Sequence, residues 1–202
     1  MGAFRCSFII NDIRALIEAD LTDINFESIA PSKMFFYDHS LGKDAVAQAF
    51  PSAVPDLKEA GTCYALNRNT ACAFHVIRAL EIALRSFARC SGVKVTGKTT
   101  PLEYQQWHNI IEAIESQSKK KYGNLKPGPA KSNALKFYSA CLSDFIFFKD
   151  AVRNILVHNR SGLYKDPEAL GVLFRAKDCL IRMAPKVPEH RTKQLTSLDF
   201  KE

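Results

Sequence analysis

The sequence lacks the patterns that mark several large classes of protein. Its six cysteines include no Cys-x-x-Cys pair and no zinc-ligand spacing, so we expect reduced, buried thiols. No apolar run approaches the roughly 18 residues that a membrane span requires. No glycine-rich phosphate loop, internal repeat or convincing strand pattern is found. We therefore expect a cytoplasmic protein with no membrane segment, no metal and no cofactor.

The composition that remains is that of a basic globular protein. A chain of 202 residues with 47% apolar content can bury a substantial core in one domain. The net charge is +7, and residues 101–202 carry 17 Lys and Arg against 11 Asp and Glu. A basic half suits a polyanionic partner such as nucleic acid. A basic, solvated surface without such a partner would give the same excess of Lys and Arg, so the charge alone does not decide between the two.

Apolar residues recur at helical spacing along most of the chain, which predicts an all-α bundle. A helical N-terminal extension is expected over residues 1–50, the bundle over 51–184, and a polar, mobile tail over 185–202. The aromatic group at 35–37 is interpreted as a short strand or a plug over the core. Helices are expected at about 7–25, 43–50, 55–67, 70–90, 101–121, 131–159 and 167–184.

Two helix boundaries carry sequence signals of their own. Residues 100–103, with the sequence Thr-Pro-Leu-Glu, are typical of a capping box that starts the helix at Pro101. Gly92 is typical of a helix end. Within helix 70–90, Glu81 and Arg85 are expected to form an ion pair across one turn.

The predicted helix 131–159 is the longest and most apolar, yet it ends in a polar group. Asn154 and His158 are four residues apart and share a helical face, with Arg153 beside them and Asp150 within side-chain reach. Histidine titrates near neutral pH and arginine is a permanent cation that suits phosphate, so the group could cleave RNA without a metal. A structural role is the alternative, with His158 interacting with the helix dipole and Arg153 paired to Asp150.

The polar group resembles the signature of HEPN domains (higher eukaryotes and prokaryotes nucleotide-binding). In that signature an arginine is followed after four residues by a histidine, and here Asn154 directly follows Arg153. Residues 148–154 resemble the family's motif helix, and residues 73–81 resemble the early core helix of one bacterial branch. The resemblance covers roughly residues 55–184.

The resemblance implies a HEPN-like helical bundle that forms a homodimer through its motif helices. It implies a metal-independent endoribonuclease of the toxin or phage-defence type, with Arg153 and His158 catalytic and Asn154 a polar supporter. Implied partners are RNA and a separate antitoxin chain of nucleotidyltransferase type. Some members are non-catalytic modules that bind a nucleotide, RNA or a protein partner, and this is the alternative function.

Further residues are weaker candidates for the same site. Asp150 and Tyr164 are assigned supporting roles, the latter because it follows the motif closely and could fold back over it. Basic residues that could contact an RNA backbone are Lys149, Arg160, Lys119, Lys120 and Lys121. A solvated run of charge is the alternative for the three consecutive lysines. His75 and Trp107 are interpreted as a polar surface residue and a core residue.

Overall fold

The computed structural model describes residues 2–24, 27–38, 45–93, 102–158 and 164–201. The described part is helical and contains no strand, as expected of an all-α protein. No helix in these ranges is both long and apolar enough to cross a membrane. The α-helices are α1 Gly2–Leu21, α2 Met34–Asp38, α3 Ala45–Ala49, α4 Val54–Ala65, α5 Asn69–Ser91, α6 Trp107–Tyr122, α7 Pro129–Phe147, α8 Asn154–His158 and α9 Asp166–Met183.

Helix α5 is the centre of the bundle and packs against α4, α6 and α9. Its apolar stripe includes Leu80, Leu84 and Phe87, which are fully buried. The helix ends where predicted, because Gly92 takes a left-handed conformation with a φ of 74° that other residues rarely adopt. The expected Glu81–Arg85 pair is present at 2.9 Å. Sequence periodicity therefore predicts this helix and its buried face correctly.

Aromatic side chains join α5 to α6 and α7. The rings of Phe87 and Tyr138 are 5.1 Å apart, and Trp107 meets Phe145 edge-on at 5.9 Å. Trp107 is only 1% exposed, so its interpretation as a core residue is confirmed. The five cysteines whose side chains the structure describes are free thiols and are all buried.

The C-terminal segment differs from the expectation of a mobile polar tail. Leu195 and Phe200 are fully buried, and the Phe200 ring packs edge-on against Tyr122 at 5.5 Å. A capping box between Thr196 and Asp199 starts a 3-10 turn, Ser197–Phe200. Most residues around Leu195 and Phe200 are polar, so nothing in the sequence indicated that these two side chains are buried.

The N-terminal region contains two parts with different environments. Helix α1 begins earlier and ends earlier than predicted, and its apolar side chains from Ile9 to Leu21 are exposed. Residues 34–38 form helix α2 rather than a strand. Phe36 packs edge-on against Tyr64 of α4 at 4.8 Å, which agrees with the plug interpretation.

The start of α6 was predicted incorrectly. Leu102–Tyr104 forms a separate 3-10 turn, and the α-helix begins only at Trp107 after Gln106. Thr100 and Pro101 of the expected capping box lie outside the described residues. The start of α6 therefore coincides with the first residue of the buried apolar face, Trp107.

Candidate functional site

The predicted motif helix is not a uniform α-helix. Residues Phe148–Arg153 form a π-helical segment between α7 and α8. The backbone N–H of Asn154 donates to the carbonyl of Lys149, five residues back rather than four. Short π segments inside α-helices frequently occur at functional sites. Here the segment ends at Arg153, the first residue of the predicted catalytic group.

The wider turn changes which motif residues share a face. Asp150 lies inside the π segment, so the four-residue spacing that placed it on the face of Asn154 no longer applies. Asn154 and His158 are the first and last residues of α8. Asn154 is exposed, while the side chain of His158 lies outside what the structure describes.

Tyr164 folds back over the π segment. Its hydroxyl donates to the carbonyl of Ala151 at 3.1 Å, and its backbone N–H donates to the hydroxyl of Thr70 at 3.2 Å. Burial and, second, the charge of Glu168 raise the pKa of the Tyr164 phenol, which therefore stays protonated as a donor. Tyr164 thus ties the motif segment to the start of α5.

Arg153 is half-buried and lies on the wall of an open groove of about 430 Å³, which we call the Arg153 groove. The motif side of the groove also contributes Leu156, and the opposite wall comes mainly from α5. The residues of α4 and α5 that line it are Asp56, Phe74, Ile77, Arg78, Glu81, Ile82 and Arg85. The groove therefore joins the motif segment to the core helix.

The charges in the Arg153 groove are unevenly balanced. Arg85 pairs with Glu81 at 2.9 Å, and Arg78 pairs with Asp56 at 3.0 Å. Within the part of the chain that the structure describes, no carboxylate lies within ion-pair distance of Arg153. Asp56 and Glu81 balance the charges of Arg78 and Arg85, whereas no described carboxylate balances that of Arg153. The groove therefore has an excess positive charge at its motif end. A phosphate or carboxylate group of a ligand would balance it.

Asp150 does not have the partner that was expected of it. Its carboxylate pairs with Lys149 at 3.0 Å, and the Asp150 side chain is 53% exposed. A pair as exposed as this contributes little to stability. The structural alternative, in which Asp150 neutralises Arg153, is therefore not what the structure contains.

Of the predicted RNA-contacting lysines, Lys149 lies in the π segment and the other three lie in α6. Lys119, Lys120 and Lys121 lie in the last turn of α6, and none of them lines the Arg153 groove. Lys119 pairs with Glu115 at 2.7 Å within its own helix. Arg160 lies outside the described residues. The lysine run is therefore not part of the groove lining, and its contact with RNA stays a prediction.

Sequence reasoning missed the wall opposite Arg153. Arg78, Glu81 and Arg85 line the groove on α5, although only an ion pair between the last two was predicted from the sequence. Asp56 was not singled out at all, although it accepts hydrogen bonds from both His75 and Arg78. A polar stripe on the central helix of a bundle was the signal that could have indicated a groove.

One group of potential metal ligands lies behind this wall. Oxygen, sulfur and nitrogen atoms of Glu59, Cys63 and His75 lie within 4.8 Å of one another, the only such group among the described residues. The three side chains come from α4 and α5.

A search for similar proteins found no match to the chain among protein-family models, curated proteins or solved structures. Membership of the HEPN family therefore stays a prediction that rests on the motif residues and the order of the helices.

Proposed function

We propose that the protein is a metal-independent endoribonuclease that acts through Arg153 and His158. The observation that carries the proposal is the position of Arg153 at the end of the π segment, in an open groove and without a carboxylate partner among the described residues. The resemblance of residues 148–158 to the HEPN motif supports the same assignment.

The proposed chemistry uses the arginine and the histidine of this helix end and needs no metal. The ribose 2′-oxygen attacks the adjacent phosphorus, the bond from phosphorus to the 5′-oxygen breaks, and the 2′-proton is passed through a general base. Histidine suits this proton transfer near neutral pH, and the Arg153 guanidinium stabilises the additional negative charge on the phosphorane. The products are a 2′,3′-cyclic phosphate and a 5′-hydroxyl, so no water or metal enters this step.

One histidine per chain is insufficient for the two proton transfers. The 2′-hydroxyl loses a proton while the leaving 5′-oxygen gains one, and Asn154 can only position or hydrogen-bond. We therefore extend the proposal to a homodimer in which two motif segments together form one site. The toxin or defence role and a separate antitoxin chain belong to the same proposal.

RNA cleavage in the presence of EDTA tests the proposal. Wild type and His158→Ala are compared, with His108→Ala as a matched control because His108 is an exposed helical histidine paired to Glu112. We expect His158→Ala to lose roughly 10²–10⁴-fold in cleavage rate, the usual range for a general acid or base. Far-UV circular dichroism in EDTA verifies that each protein is folded.

Equal rates for wild type and His158→Ala would overturn the proposal, as would wild-type products that end in a linear 3′-phosphate from the outset. An unaltered rate in His108→Ala is required for the loss to be assigned to the motif.

A binding module without catalytic activity is the second candidate. The observation that favours it is the size of the Arg153 groove, since about 430 Å³ lies within the range of small-ligand pockets. A nucleotide phosphate would then pair with Arg153 and no bond would break. This function predicts nucleotide or RNA binding that survives His158→Ala, with no cleavage by either protein.

A further inference from the structure

We propose that Glu59, Cys63 and His75 bind one zinc ion, at a site separate from the Arg153 group. Candidate ligand atoms of these three residues lie within 4.8 Å of one another. The thiol, imidazole and carboxylate together form a ligand set that suits zinc. The proposal goes beyond RNA cleavage, since none of the three side chains lines the Arg153 groove.

The fold holds these side chains on two rigid helices. Glu59 and Cys63 are four residues apart and therefore lie on the same face of α4, while His75 lies in the second turn of α5. The turn between the helices is tightly fixed, because Asn67 takes a left-handed φ of 57° and its side chain accepts a hydrogen bond from Lys33 at 2.7 Å. Sites on helices are positioned more accurately than sites on loops.

The separations are close to those that zinc requires. The Cys63 sulfur and a Glu59 carboxylate oxygen are 3.7 Å apart. Two tetrahedral ligands at about 2.3 Å and about 2.1 Å from the ion would be about 3.6 Å apart. The remaining separations, which are at most 4.8 Å, would shorten by up to about 1 Å on binding.

A second carboxylate orients the histidine. Asp56 lies 2.8 Å from the Nδ1 of His75, and its side chain is only 14% exposed. Histidines that ligate metals usually donate their other ring nitrogen to such a carboxylate, which fixes the tautomer. Nε2 of His75 is then the nitrogen left to coordinate. Asp56 is therefore a positioning residue for the zinc site.

The thiol of Cys63 favours zinc over magnesium or calcium, which prefer oxygen ligands. Burial first, and then the charge of Glu59 and its hydrogen bond, raise the pKa of the Cys63 thiol, while Arg68 opposes this. The ion-free thiol is thus protonated near neutral pH. Zinc binding forms the metal–sulfur bond and releases that proton to solvent. Three protein ligands leave the fourth position for a water molecule.

Zinc titration of the full-length protein, stripped of metal beforehand, tests this proposal. A chromophoric chelator that competes for zinc gives the affinity and the stoichiometry, which we expect to be one ion per chain. Asp56→Asn should weaken binding by roughly 10–100-fold, the usual effect of losing such an orienting group. Glu59→Gln should weaken it at least as much, and this exposed position leaves the core undisturbed.

Cobalt provides a second measurement that does not depend on affinity alone. Co²⁺ bound to a thiolate gives a near-ultraviolet charge-transfer band, which we expect in wild type and in Glu59→Gln at saturation but not in Cys63→Ser. Cys90→Ala and His108→Ala are matched controls that remove a thiol and an imidazole elsewhere, and both should bind zinc like wild type.

Two results would overturn the zinc site: no binding of zinc by wild type, or equal affinities for wild type and Glu59→Gln. The outcome is independent of RNA cleavage, because His158→Ala is expected to retain full zinc binding.

Discussion

Removing the Tyr164 hydroxyl tests whether the π segment is held in place from outside the helix. In Tyr164→Phe the ring is kept and only the donor to the Ala151 carbonyl, at 3.1 Å, is lost. A hydrogen bond of this kind contributes about 0.5–1.5 kcal/mol net, and about 1–3 kcal/mol when the acceptor is left buried without a partner. Because Tyr164 is half-buried, we expect a loss of about 1 kcal/mol in the free energy of unfolding.

For a chain of this length, 1 kcal/mol corresponds to a fall of roughly 2–4 °C in the midpoint of thermal unfolding. Amide hydrogen exchange locates the effect, and the amides from Val152 to Leu156 should exchange faster in the variant than in wild type. Tyr104→Phe is the control, because Tyr104 is 78% exposed and its hydroxyl should contribute nothing. Unchanged exchange and an unchanged midpoint in Tyr164→Phe would refute the role assigned to this hydroxyl.

Two further predictions concern the C-terminal segment. Phe200→Ala should lower the free energy of unfolding, measured with denaturant, by about 3–5 kcal/mol, because the ring is fully buried. Leu198→Ala is the control and should cost little, since Leu198 is exposed. A loss below about 1 kcal/mol for Phe200→Ala would mean that the segment is not part of the core. Burial alone would raise the pKa of Asp199, but hydrogen bonds from Thr196 and Arg191 outweigh it and lower that pKa. The stability from this carboxylate is therefore present above the unfolded value of about 3.9 and is lost as the pH falls through the lower folded value. In denaturant unfolding, Asp199→Asn should have a lower free energy of unfolding than wild type at neutral pH, and this difference should shrink below about pH 3.9. A difference that stays constant with pH would contradict the assignment.

The sequence predicted the bundle well where one helix face is continuously apolar. Helices α5 and α9 begin and end within two residues of their expected positions, because periodic burial and the flanking Gly92 and Asp166 coincide. The Asp166 carboxylate accepts hydrogen bonds from Lys33 and Tyr64, partners more than 100 residues away that no local pattern could indicate.

The π segment could not be predicted from spacing. No proline or glycine interrupts residues 130–158, and the apolar steps of three and four agree with an unbroken α-helix. The contact to the wider turn is tertiary, since the Tyr164 hydroxyl donates to the Ala151 carbonyl and Thr70 in turn accepts a hydrogen bond from the Tyr164 backbone. This is why Asp150 was placed beside Arg153 in the sequence but pairs with Lys149 in the structure.

The candidate site was likewise predictable only in part. Arg153, Asn154 and His158 were identified from one helix end and a family resemblance, and Tyr164 was expected to fold back, as it does. The position of Arg78 and Arg85 in the groove could not be predicted from the sequence, because the groove forms only where α5 lies against the motif segment. Glu59, Cys63 and His75 come together only because α4 and α5 pack as a hairpin, so cysteine spacing alone gave no sign of them.

The cleavage rate of Arg153→Ala tests the central claim most directly, because Arg153 is the groove cation that has no carboxylate partner among the residues that the structure describes. The control is Arg14→Ala, an arginine on α1 whose side chain is 75% exposed. Losing one preorganised donor to a developing charge costs roughly 10²–10³-fold in rate, so we predict a loss of that size for Arg153→Ala with RNA in EDTA and none for Arg14→Ala. Arg153→Ala cleaving RNA as fast as wild type would contradict the account.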